Sequence, residues 1–60
     1  MKLEFSWTDN DGGKMNKTLP TVTAVIIDDQ MITYSFINKD GKEDKDFRML
    51  KELDSFELRS

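Results

Sequence analysis

Residues 21–27 (Thr-Val-Thr-Ala-Val-Ile-Ile) and 31–37 (Met-Ile-Thr-Tyr-Ser-Phe-Ile) are dense in β-branched and aromatic side chains, and only Asp28, Asp29 and Gln30 separate them. Such side chains are restricted at χ1 and pack well on a pleated surface. Two strands this close in sequence are joined most economically as an antiparallel hairpin. A two-residue loop at Asp29-Gln30 sets Ile27 opposite Ile32, Val25 opposite Tyr34 and Thr23 opposite Phe36. That register gathers Val25, Ile27, Ile32, Tyr34 and Phe36 on one face for burial, and a slip of one residue would scatter them over both. The second face carries Val22, Ala24, Ile26, Thr33 and Ser35, with Ile37 at the end of its strand.

The remaining elements are read outward from this hairpin. Residues 2–8 alternate Leu3, Phe5 and Trp7 with Lys2, Glu4, Ser6 and Thr8, the period of a strand with one buried face. Asp9-Asn10-Asp11-Gly12-Gly13 then supplies turn chemistry. The mixed stretch 14–20, ending at Pro20, reads as loop, because proline cannot donate to a central ladder. After the hairpin, Asn38-Lys39-Asp40-Gly41-Lys42 allows two turns. A two-residue type I′ turn at Asp40-Gly41 places Phe47 opposite Tyr34 and Met49 opposite Ile32. A three-residue loop with Gly41 in a G1 bulge places Asp46 opposite Tyr34 instead. The hydrophobic register favours the first, with a fourth strand over 43–49.

The C-terminal stretch also has two readings. Met49, Leu50, Leu53 and Phe56 fall at helical spacing, with Asp44 or Asp46 available as a cap for a helix over 45–55. The favoured reading ends the fourth strand near Met49, turns tightly through residues 50–53 in a 3-10 conformation, and finishes with a short strand over 55–59. The expected fold is therefore mainly β: one domain over residues 1–60, a small five-stranded antiparallel barrel with a 3-10 turn before the last strand. An antiparallel sheet with one C-terminal helix, an α+β fold, is the alternative. The order of strand, long loop, three strands joined by tight turns, 3-10 turn and short strand resembles the layout of SH3-like small barrels. The Ala-Leu-Tyr-Asp-Tyr-type motif and paired tryptophans of SH3 signalling domains are absent, since Trp7 is the only tryptophan. Proline-rich ligands are accordingly not implied.

Chain length and residue types narrow the function. A chain of 60 residues supports one core, and without cysteine or histidine no disulfide or Cys/His zinc site reinforces it. The residues best suited to acid–base and nucleophilic work near neutrality are missing too, so no enzyme is expected. Asp28-Asp29 is the one adjacent acid pair to consider, and at a hairpin tip it reads as a solvated turn. Asp9-Asn10-Asp11-Gly12-Gly13 has oxygen ligands for a hard cation, yet counting from Asp9 puts Lys14 where the EF-hand glycine belongs and Pro20 where its glutamate belongs. No cofactor or metal is expected. Asn16-Lys17-Thr18 matches the glycosylation sequon and reads as coincidence.

Partners are constrained by charge. A net charge of −3 gives no general attraction to phosphates. The bases Lys39, Lys42, Lys45, Arg48 and Lys51 are interleaved with Asp40, Glu43, Asp44, Asp46, Glu52 and Asp54, a solvated mixed-charge surface. Weak single-stranded nucleic-acid binding through stacking aromatics is the alternative function. With no apolar run of ~20 residues and no apolar leader at the N-terminus, no membrane partner and a cytoplasmic location are expected. The favoured function is non-enzymatic protein binding or self-association through the second face of the hairpin, with Val22, Ala24, Ile26 and Ile37 as the interface.

Overall fold

The computed structural model describes all 60 residues, Met1 to Ser60. Strands β1 (Lys2–Thr8), β2 (Lys14–Leu19), β3 (Val22–Ile27), β4 (Met31–Ile37) and β5 (Glu43–Met49) are followed by a 3-10 turn (Leu50–Glu52) and β6 (Leu53–Arg59). They form two three-stranded antiparallel sheets, one in the order β2-β1-β6 and the other β3-β4-β5. The fold is mainly β. Residues 45–55 contain no α-helix, because Leu50 and Leu53 pack on the core from the corner between β5 and β6 rather than along one helical stripe.

One expected loop is a strand. Residues 14–19 form β2, which pairs with β1 from Leu3 opposite Leu19 to Thr8 opposite Lys14, giving six strands where five are expected. Five of the six β2 residues are exposed, so hydrophobic patterning hardly marks it, and its ladder to β1 holds it in place. Pro20 lies between β2 and β3, where no ladder asks for its missing N–H. Leu19 and Val22 are buried on either side of it.

The turn after β4 settles the register of β5. Asn38 Oδ1 accepts the N–H groups of Asp40 and Lys42 at 2.9 and 3.1 Å, and the Gly41 N–H donates to the Asn38 carbonyl at 2.9 Å. Gly41 has φ 78°, and no non-glycine residue has positive φ. A type I′ turn would require positive φ at Asp40 as well, so the three-residue loop forms. Asp46 consequently opposes Tyr34 and Phe47 opposes Thr33, correcting the expected pairing of Phe47 with Tyr34 and Met49 with Ile32. The loop between β1 and β2 repeats the device. There Asp9 Oδ1 accepts Asp11 and Gly13 N–H at 3.0 and 2.7 Å, and Gly12 has φ 82°.

The hairpin between β3 and β4 keeps its two-residue loop, with Ile27 opposite Ile32 and Val25 opposite Tyr34. Asp28 Oδ1 holds it by accepting Gln30 and Met31 N–H. A bulge between Val22 and Ala24 then sets Val22, not Thr23, opposite Phe36. Because a bulge shifts the alternation by one residue, Val22 turns inward.

Six residues are buried between the sheets: Leu3, Phe5, Leu19, Val22, Ile32 and Tyr34. Trp7, Val25, Phe36, Leu50 and Leu53 pack around them half-buried. Of the five hairpin residues expected in the core, Ile32 and Tyr34 are fully buried and Val25 and Phe36 partly so, while Ile27, beside the loop, is exposed. Tilted aromatic pairs at 5.7–6.0 Å link Trp7, Phe5, Tyr34 and Phe36 in a row.

Candidate interaction surface

Side-chain alternation assigns every residue of the β3-β4-β5 sheet a face. With Ile32 and Tyr34 buried, Met31, Thr33, Ser35 and Ile37 point outward from β4. Their partners set the outer rows: Ile26, Thr33 and Phe47 in one, Ala24, Ser35 and Lys45 in the next, and Met31 with Met49 at the hairpin end. Ile26 is 67% exposed and Phe47 54%, with no element covering either. A three-stranded sheet that buries one face and leaves large apolar side chains bare on the other presents a surface suited to a partner.

Of the four expected interface residues, Ala24 and Ile26 lie on this outer face and are exposed, and Ile37 lies on it 37% exposed. Val22 does not. At 3% exposure it belongs to the core, placed there by the bulge. Phe47 is the residue that sequence reasoning missed. Its position follows from the loop Asn38–Lys42, and the signal that could have found it is the match between Asp9-Asn10-Asp11-Gly12 and Asn38-Lys39-Asp40-Gly41.

The inward side of β5 is charged rather than apolar, carrying Asp44, Asp46 and Arg48. Arg48 folds over the core edge, its guanidinium carbon 5.3 Å from the Phe5 ring centroid and 5.2 Å from that of Trp7, within cation–π range. Its Nε and the Tyr34 hydroxyl are both buried without a hydrogen-bond partner. Burial pushes the Tyr34 hydroxyl above its ordinary pKa range; the nearby Arg48 opposes that shift and the Asp46 carboxylate adds to it. No group of three or more His, Cys, Asp or Glu side chains is arranged to hold a metal ion. No helix is long and apolar enough to cross a membrane. No family model, curated protein or solved structure matches the chain.

Proposed function

We propose that this chain is a non-enzymatic protein-binding or self-associating module that works through the outer face of the β3-β4-β5 sheet. The observation that carries the reading is the row Ile26, Thr33, Phe47, whose two apolar members stand bare at the middle of that face. In the same reading β2 and β3 act as one strand bent at Pro20. That leaves five working strands in the order of an SH3-like small barrel, with the seam between β5 and β6 spanned by the 3-10 turn. Single-stranded nucleic-acid binding is the weaker reading, because Phe5 and Tyr34 are buried and Arg48 is folded over Phe5 and Trp7, which withdraws those aromatics and that base from stacking and phosphate contact.

Two measurements test this. Capture of partners from the native host, beside sedimentation over a concentration series, should show partner binding that Ile26→Lys abolishes while the circular dichroism spectrum and melting curve stay unchanged. Titration with labelled DNA and RNA at two ionic strengths should show no binding near physiological salt. Tight, salt-sensitive oligonucleotide binding by a strict monomer would reverse the ranking, since counterion release gives phosphate binders that salt dependence.

A further inference from the structure

Strand β5 ends its sheet with an open edge, and the backbone bonds show which of its groups are free. The Ile37 N–H donates to the Thr21 carbonyl and the Asp28 N–H to the Met31 carbonyl, so the odd-numbered residues of β4 turn their backbone groups toward β3. The even-numbered ones turn toward β5, where they meet Asp44, Asp46 and Arg48. Glu43, Lys45, Phe47 and Met49 therefore direct their N–H and C=O groups away from the sheet. At Phe47 the N–H is taken up locally, by Asp46 Oδ1 at 2.8 Å.

We propose that the occupant of this edge is a second copy of the chain, paired antiparallel about a two-fold axis through Phe47 to give one continuous six-stranded sheet. The proposal rests on the self-associating form of the function above. A two-fold axis perpendicular to a sheet keeps outer residues opposite outer residues, so it must pass through a residue position. In β5 the residues at 43, 44, 45, 46 and 48 are all charged, and an axis at any of them sets a like-charged pair face to face. Met49 ends the strand and offers too little length to pair. Phe47 alone gives a neutral centre.

Charge complementarity supports the same register. With the axis at Phe47, Asp46 faces the second copy's Arg48 and Arg48 faces the second copy's Asp46, two opposite-charge pairs created together. Arg48 forms no salt bridge within its own chain, where the only ion pairs join Lys2 to Glu4 and Arg59 to Glu57. The Phe47 N–H released by Asp46 finds the second copy's Phe47 carbonyl, so no donor is left unpaired. On the outer face the row Ile26, Thr33, Phe47 runs on into its own image, joining two small apolar patches into one.

The chain has no cysteine, so single-cysteine variants report the register directly. At a concentration where the parent chain sediments as a dimer, Phe47→Cys should cross-link efficiently with a short bifunctional thiol reagent, because the two positions face each other at about 5.5 Å between Cα atoms. Lys45→Cys and Ile26→Cys should not, their copies lying about 14 Å apart along the strands and about 24 Å apart across the sheet. Asp46→Lys should weaken the dimer about tenfold or more without changing the fold, by turning both attractive pairs repulsive. Cross-linking at Ile26→Cys but not Phe47→Cys would overturn the edge pairing in favour of face-to-face packing and leave the proposed function standing. A chain that stays monomeric at every concentration would overturn the second copy as occupant, while host-protein capture lost in Ile26→Lys would still uphold protein binding.

Discussion

The two sheets bury similar inner faces and carry opposite outer ones. Outside β2-β1-β6 the rows read Thr18, Glu4, Glu57 and Asn16, Ser6, Ser55, and the side chains bond to one another. Ser6 and Ser55 hydroxyls are 2.8 Å apart, Thr8 donates to Asp54 at 2.6 Å, and Arg59 grips Glu57. Outside β3-β4-β5 the central row is Ile26, Thr33, Phe47, with no side-chain bond among them. A polar outer face satisfies itself and water. An apolar one does neither, and it is the face the proposed function assigns to a partner.

The strongest challenge to this contrast is to ask whether both inner faces matter equally. Ile32→Ala from one sheet and Leu3→Ala from the other should each cost about 2–5 kcal/mol in urea unfolding, because both side chains are fully buried. A loss at either site in the range of surface positions would mean that one sheet contributes little to the core.

Next in size is the pair of matching loops, one in each sheet. Gly41→Ala and Gly12→Ala should each cost about 1–2 kcal/mol, since both positions sit at positive φ with open space around the added Cβ, so backbone strain alone acts. Unequal costs would show that the loops, alike in hydrogen bonding, differ in tension.

Tyr34→Phe should be neutral or stabilising by up to about 1 kcal/mol, because the hydroxyl it removes is buried and unpartnered. The same variant sharpens the pH response. Burial raises the Tyr34 pKa in the folded state, so above the unfolded value the folded chain holds a proton that the unfolded chain has lost. Stability is therefore unaffected by Tyr34 below about pH 10 and falls as pH rises beyond it toward the folded pKa. Melting temperatures from pH 8 to 11 should keep a constant offset from those of Tyr34→Phe at the lower end and fall away from them at the upper. Parallel curves would place the hydroxyl in water.

The smallest effects return to the outer faces. Ser6→Ala and Ile26→Ser should each stay within about 0.5 kcal/mol, the first losing an exposed hydrogen bond and the second a side chain that is 67% exposed. They should part in binding, with only Ile26→Ser weakening capture of partners from the native host. A large stability loss in Ile26→Ser would make the apolar face a structural element and remove the contrast.

Much of the architecture was legible because it depends on local chemistry. The alternation of residues 2–8 and the β-branched runs at 21–27 and 31–37 mark β1, β3 and β4, and Asp28 shapes the turn between the last two. The 3-10 turn before β6 was the favoured of two readings, and the structure has it at Leu50–Glu52. β2 was not legible, because an exposed edge strand has little hydrophobic signature and is held mainly by its neighbour. Three of the four expected surface residues, Ala24, Ile26 and Ile37, lie on the outer face. Val22 and Phe47 exchanged places between surface and core.

What the sequence by itself determined is that β1, β3 and β4 are strands and where the chain turns beside them, since side-chain branching, alternation and Asx-Gly chemistry act within a few residues. Only the tertiary structure decided which way those strands face. A bulge at Thr23 turned Val22 inward, and one extra loop residue before β5 turned Phe47 out and Arg48 in, over Phe5 and Trp7. The physical reason is the strand's period of two: a single-residue change in register costs little locally yet reverses every side chain beyond it, and what then faces the solvent is settled by contacts between strands distant in sequence.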